Sequence, residues 1–286
     1  MEGSAFCHGA ATIINGIASG KGAAFGIALK TMAKVKLTDE PGVFEVKIEG
    51  DEQENPKLAE CCVQEVLKKF GLESEHGAKV ITSSNIPISR GLKSSSAASN
   101  TIILSVFKAL GKEYDDMEVI NLGIKASLLA KVTLTGAFDD ACATYFGSVV
   151  VTDNLTREIL TQYPIEEDYD VIIHVPERKI RKTEIDIQKL KGKRERFSAA
   201  HDFALKGNYK EAIKINGFTY GTAMGLNTEI MTRALEAGAV TAGISGTGPA
   251  TVILAERDKR EDIISAIDER EHIICTKINK ERAGTL

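Results

Sequence analysis

The chain has 286 residues, 36 of them Lys or Arg and 40 Asp or Glu, giving a formal net charge of −4, and 43% of it is apolar. That length holds one large domain or two ordinary ones, and that apolar share can bury a core without disulfides or a structural metal. The acidic balance excludes a broad basic face for nucleic acid while leaving room for a local anion site in one loop.

Residues 3–36 are rich in Gly, Ala, Ile and Lys and predict strands joined by a Gly-rich turn at 19–22. Residues 43–49 alternate apolar and polar side chains, as a half-buried strand does. Between 56 and 70, Leu58, Cys62, Val66 and Phe70 recur at a helical interval and Gly71 supplies a stop. A short strand is expected at 79–82. A Ser-rich loop then runs into an apolar helix, 97–110, ending at Gly111, and a second helix covers 117–130. A turn or helix start near 135–144 leads into a strand. Residues 153–169 are polar and irregular, with Pro164 and acids from Glu166 to Asp170, and a domain boundary is placed there. Beyond it, strands are expected at 171–175, 251–255 and 273–278, and helices at 194–206, 209–225 and 258–269. Single strands alternating with helices indicate α+β layers in both halves.

Cys7, Cys61, Cys62, Cys142 and Cys275 form no C-x-x-C pair, and the five histidines show no zinc spacing. Scattered cysteines in odd number fit reduced thiols in the cytoplasm. The N-terminal residues lack the basic and apolar regions of a signal peptide, and no apolar run approaches the ~18 residues of a membrane span. A cytoplasmic protein without membrane or nucleic-acid partners is expected.

Gly16-Ile17-Ala18-Ser19-Gly20-Lys21-Gly22 resembles a phosphate loop superficially, but a Walker A loop has four residues between its glycines and Ser or Thr after Lys. Neither a dinucleotide fingerprint nor a G-x-S-x-G elbow occurs. Three other segments are better suited to chemistry. In the first, Pro87-Ile88-Ser89-Arg90-Gly91-Leu92-Lys93-Ser94-Ser95-Ser96-Ala97, a glycine permits close backbone approach, serines supply hydroxyls, and a following helix directs N–H groups back at the loop. With Arg90 and Lys93 this makes an anion site; a ligand-free Ser-rich helix cap is the plainer alternative. In the second, Thr135-Gly136-Ala137-Phe138-Asp139-Asp140-Ala141, a carboxylate among small and apolar residues either takes a proton from a substrate or merely complements a helix dipole. In the third, Ala242-Gly243-Ile244-Ser245-Gly246-Thr247-Gly248-Pro249-Ala250, three glycines imply a tight loop whose backbone meets another surface, or a plain turn.

In this order and spacing the three segments resemble the motifs of the GHMP kinases, which include galactokinase, homoserine kinase, mevalonate kinase and phosphomevalonate kinase. The first resembles the family's phosphate-binding motif. That implies that residues 87–97 wrap the triphosphate of ATP and that Ser96, the last serine before the alanines, helps to hold Mg²⁺. The motif carries one more serine than its commonest form, so Ser95 stays open beside Ser96. The second resembles G-x-D-x-A of the mevalonate kinase branch, whose register selects Asp139 as catalytic, and the run T-G-A-F-D-D-A is closer still to the archaeal-type shikimate kinases. The third resembles the loop that closes over ATP from the C-terminal half, through Gly246 and Gly248. Two departures stand out. Only Lys21 and, further on, Lys30 are offered near the N-terminus as a partner for the catalytic Asp, and the position about eleven before it, where some members carry a Mg²⁺-binding Glu, is Leu128.

The resemblance implies a two-domain α+β GHMP kinase fold: a ribosomal-protein-like N-terminal domain, 1–160, and a ferredoxin-like C-terminal domain, 161–286, with the site between them. It implies phosphorylation of the shikimate 3-hydroxyl by ATP on the route to chorismate. The shikimate carboxylate calls for an Arg or Lys; the run Glu177-Arg178-Lys179-Ile180-Arg181-Lys182 is one source, or else a solvated face. Homoserine kinase, and a GHMP-fold sensor without turnover, are the competing readings.

Overall fold

A computed structural model describes residues 1–50, 54–177, 185–267 and 272–286. Strands β1 (Glu2–Ile14) and β2 (Lys21–Thr38) form a long antiparallel hairpin. Along its other edge β2 pairs with β5 (Val149–Asp153) at its start and with β4 (Gly77–Ser84) at its end. β3 (Phe44–Ile48) joins β4 in parallel, and helix α1 (Lys57–Phe70) makes the crossover between them. β6 (Glu158–Tyr163) extends the sheet beyond β5.

The burial pattern of the hairpin records what covers it. Late in β2, buried and exposed residues alternate, as on a sheet with one solvated face; residues 22–27 are buried throughout. Helices α2 (Ser94–Leu110) and α4 (Phe138–Phe146) pack on β1 and β2, and α6 (Arg194–Leu205) packs on them too. α3 (Asp116–Leu129) packs on α1 and α2. Its start is fixed by Asp115, whose carboxylate accepts the N–H groups of Met117 and Glu118.

Four further strands, β7 (Asp170–His174), β8 (Thr241–Ile244), β9 (Thr251–Ala255) and β10 (Ile273–Lys277), form a second antiparallel sheet in the order β10-β7-β9-β8. Between β7 and β8 lie α5 (Ile187–Lys191), α6, α7 (Tyr209–Met224) and α8 (Glu229–Glu236), and between β9 and β10 lies α9 (Arg260–Ile267). A split βαβ pattern with this strand order is ferredoxin-like. α7 packs on both β8 and β1 and so joins the sheets. The last residues return to the first sheet, where β11 (Gly284–Thr285) pairs with β1. Among the described residues no helix is long and apolar enough to cross a membrane.

Three expectations change. Helix α2 begins at Ser94, so the three serines form its first turn and not a loop. Lys93 takes a left-handed backbone, φ 64°, and the helix starts immediately after it. The stretch 153–169 contains β6, an edge strand with every second residue exposed, whose polar composition reads as irregular chain. The helix expected at 258–269 is a short 3₁₀ turn at Arg257–Lys259 followed by α9; residues 268 and 269 lie outside the described residues.

Phe107 of α2 is fully buried and meets Phe70 and Tyr114 edge-on, with centroids 5.6 and 5.7 Å away. Phe107→Ala should cost about 3–5 kcal/mol, the usual range for a buried aromatic truncated to alanine. Urea unfolding checks this; a loss under about 1 kcal/mol would contradict the packing described.

Candidate active site

The first motif links β4 to α2. Ser89, Gly91 and Lys93 have φ of 58°, 88° and 64°, so every second residue is left-handed. Left-handed residues at such spacing can turn successive N–H groups toward one side, the geometry of backbone nests that suit anions. No side chain caps α2, which leaves its first N–H groups and the positive end of its dipole directed at the loop.

Gly91 also carries the contact with the third motif. A Cβ there would stand 2.0 Å from the carbonyl oxygen of Ser245, so only glycine fits. The Ser245 hydroxyl donates to the Gly91 carbonyl at 2.8 Å and accepts the N–H of Thr12 at 3.0 Å. The Thr12 hydroxyl oxygen accepts from Gly246 N–H at 2.7 Å and from Lys93 Nζ at 2.6 Å. Lys93 Nζ also pairs with Asp140 Oδ1 at 2.8 Å, with both side chains largely buried. Asn15 Nδ2 donates to the Gly246 carbonyl at 2.8 Å, and Ala250 N–H to the Arg90 carbonyl at 3.2 Å. Thus the end of β1 and all three motifs meet at one point.

Asp139 lies in the first turn of α4, after Ala137, whose φ is 45°. Its side chain is buried, and Oδ1 accepts from Asn154 Nδ2 at 2.8 Å. Burial raises its carboxyl above the ordinary range, and the neighbouring Asp140 raises it further; Lys93 and the Asn154 amide act the other way.

These groups line a cavity of about 750 Å³. Part of its wall is apolar, from Ile48, Leu58, Ala59, Ile88 and Ile102; another part carries Thr12, Asn15, Lys131, Asp139, Asp140 and Asn154. Among the described residues six non-glycine residues have left-handed backbone, and four of them, Ser89, Lys93, Lys131 and Ala137, line this cavity. Strain concentrated in this way is a mark of functional sites.

The sequence candidates divide. Ile88, Ser89, Gly91, Lys93, Ser94, Ser95, Asp139 and Gly246 line the cavity. Pro87, Arg90, Leu92, Ser96, Ala97 and Gly248 are not part of its lining. Leu92 and Ala97 are core residues, and Gly248, φ 77°, closes the turn by donating to the Ser245 carbonyl at 2.9 Å. On α2, Ser94, Ser95, Ala98 and Ile102 share the cavity face, and one further residue turns Ser96 about 100° away. Lys21 is exposed and outside the lining; the ammonium acting on Asp139 is that of Lys93. Lys30 lies over the Phe6 ring at 3.8 Å, and Leu128 is exposed and also outside the lining. Of the basic run, Arg178, Lys179, Ile180, Arg181 and Lys182 lie outside the described residues.

Sequence reasoning missed Thr12, Asn15 and Asn154, and took Asp140 as the lesser of two acids. Thr12 and Asn15 sit in and after an apolar strand, and Asn154 follows one in a turn; no local pattern marks them.

Residues 57–148 match the family described as GHMP kinases N terminal domain. The chain is 41% identical over 285 residues to the shikimate kinase of Methanococcoides burtonii, covering 98% of each chain. It is 42% identical over 267 residues to that of Methanothrix thermoacetophila, covering 93% of this chain and 90% of that one. This chain belongs to the shikimate kinase family within the GHMP kinases. Among solved structures, it superposes on homoserine kinase from Cytophaga hutchinsonii with a TM-score of 0.77 at 16% identity, covering 100% of this chain and 97% of the other. For the Methanococcus jannaschii mevalonate kinase the TM-score is 0.78 at 16% identity, covering 96% and 98%. At such identities these structures establish the shared two-sheet GHMP kinase fold. They say nothing of substrate.

Lys93 and Asp140 give a prediction about stability. Removing one partner of a buried pair leaves the other uncompensated, at about 3–5 kcal/mol when burial is complete. Asp140→Asn leaves Lys93 with only Asp139 beside it, Lys93→Met leaves Asp140 without its cation, and the double variant should lose less than the sum of the two. Denaturant unfolding of all three decides; losses that simply add would overturn the assignment.

Proposed function

We propose that the protein transfers the γ-phosphoryl group of ATP to the 3-hydroxyl of shikimate, giving shikimate 3-phosphate and ADP in the cytoplasm, on the route to chorismate and the aromatic amino acids. The substrate rests on the relatives named shikimate kinase, similar over nearly the whole chain. The reaction type rests on one observation: the buried carboxylate of Asp139 lines the same cavity as the 87–93 loop and the uncapped start of α2.

The polyphosphate lies on the nest and the first turn of α2, whose N–H groups meet its oxygens. The apolar wall formed by Ile48, Leu58, Ile88 and Ile102 suits a nucleobase. The substrate hydroxyl lies between the γ-phosphorus and Asp139. As its oxygen bonds to phosphorus and the bond to ADP breaks, its proton passes to Asp139. Lys93 and the helix N-terminus stabilise charge on the transferred group.

Among the described residues no group of three or more His, Cys, Asp or Glu is placed to hold a metal ion. That fits an ion that arrives with ATP and keeps water and phosphate ligands, with one hydroxyl from the protein. Ser95, which lies on the cavity face of α2, would supply that hydroxyl, with Ser96 as the alternative the motif offers. Mg²⁺ so held would neutralise the β- and γ-phosphoryl oxygens. A division into two units is supported by the break between β6 and β7, which lies a few residues beyond 160 because β6 runs to Tyr163 in the first sheet, with the returning β11 as its exception.

ADP release from Mg²⁺–ATP with shikimate, homoserine, mevalonate and galactose in parallel tests the reading. Turnover with shikimate alone supports it. Turnover with another acceptor would replace the substrate, and ATP binding without turnover would favour a sensor.

Asp139 must be ionised to accept a proton. Its raised carboxyl is protonated at low pH, so kcat/KM should fall as pH drops through that raised value. The acid limb should therefore lie well above the ~4 of an ordinary carboxylate. Asp139→Asn should lower kcat by ~10²–10⁴ and abolish the limb. A loss under about tenfold in a folded variant would remove Asp139 from the chemistry. Ser95→Ala should weaken the dependence on Mg²⁺ more than Ser96→Ala does.

A further inference from the structure

Asn154 immediately follows β5 and holds Asp139 by two bonds. The main-chain N–H of Asp139 donates to Asn154 Oδ1 at 3.1 Å, and Asn154 Nδ2 donates to Asp139 Oδ1 at 2.8 Å. Because a main-chain N–H can only donate, the amide oxygen must face it, and the Thr152 hydroxyl donates to the same oxygen at 2.8 Å. This fixes the amide, and its NH₂ group must face the carboxyl.

The glycines of the β1–β2 turn, which miss the phosphate-loop spacing, fit around this pair. A Cβ on Gly16 would stand 2.5 Å from Asn154 Nδ2, and one on Gly22 would stand 2.4 Å from Asp139 Oδ2. Gly20, φ 76°, accepts the Asn154 N–H at 2.8 Å, and a Cβ there would meet Leu155 at 2.6 Å. Gly16 and Gly22 thus leave room for the side-chain pair, and Gly20 for the neighbouring Leu155.

We propose that Asn154 is the positioning residue of Asp139: its amide occupies Oδ1 and leaves Oδ2 as the atom that takes the substrate proton, with Gly16, Gly20 and Gly22 forming the seat of the pair. The assignment rests on the kinase reading above. An amide N–H donates whether the carboxyl is ionised or not, so the proton comes and goes at Oδ2. The charged and titratable groups around the carboxyl are Asp140, Lys93 and the buried thiol of Cys142. None of them is the partner of Oδ1.

The test compares wild type with N154A and N154D by ¹³C NMR titration of the Asp139 carboxyl and by pH profiles of kcat with shikimate and ATP. N154A removes a donor that favours the ionised form, and N154D places a second carboxylate against Oδ1. Both should move the titration midpoint and the acid limb upward, N154D by about one pH unit or more and N154A by less. N154A should also lower kcat about 10- to 100-fold while the KM for ATP changes less than about twofold. A merely structural Asn154 would lower activity equally at every pH. Midpoints that coincide in wild type and N154A overturn the proposal whatever the substrate, and N154A decides alone should N154D not fold. A wild type silent with shikimate would instead overturn the kinase reading, and the NMR midpoints would still judge Asn154.

Discussion

Gly91 and Ser245 touch more closely than any residue with a side chain at position 91 would permit, and the site depends on that contact. They lie 154 residues apart in sequence and belong to opposite halves of the chain. The approach is held by polar groups that satisfy one another: the Ser245 hydroxyl serves Gly91 and Thr12, and the Thr12 hydroxyl serves Gly246 and Lys93. Buried donors and acceptors left unpaired are expensive, so such a network is stable as a whole and poorly stable in part. It sets the ferredoxin-like unit against the loop that begins α2.

A second constraint is charge. Two adjacent carboxylates start α4, in the cavity proposed to receive a polyphosphate. The structure gives them different surroundings. Asp140 is neutralised by Lys93, whereas Asp139 has an amide and burial. That separates a structural anion from a group whose proton affinity lies near the working range. The same pairing fixes Lys93 where its charge reaches both Asp139 and the start of α2.

Much of this was legible in the sequence because it is local. The helical interval from Leu58 to Phe70, the alternation at 43–49 and the glycine stops at Gly71 and Gly111 predict elements where they occur. The three motifs, read together, identify the family and the two-sheet fold. What was not legible depends on contacts between distant residues. β6 is an exposed edge strand, and β8 is four residues long. Thr12 looks like one more residue of an apolar strand until Lys93 and Gly246 are placed beside it. The serine register stays open in the motif for a related reason: a motif orders residues along the chain, whereas the cavity lining includes those on one side of a helix, and Ser95 and Ser96 differ by about 100°.

The Gly-rich turn at 16–22 shows how one pattern serves two ends. Glycines in a loop before a helix let a backbone approach phosphate; glycines between two strands let side chains from elsewhere approach the backbone. Here no helix follows, and β2 runs on from Lys21. The space left by the missing Cβ atoms is filled by Asp139, Asn154 and Leu155. A glycine cluster therefore reports close packing without naming what is packed. The element that follows it separates the cases: a helix brings uncapped N–H groups and a positive dipole, and a strand brings neither. By that criterion the start of α2, not the earlier turn, is the place for the proposed anion site, and the earlier turn packs around Asp139 and Asn154.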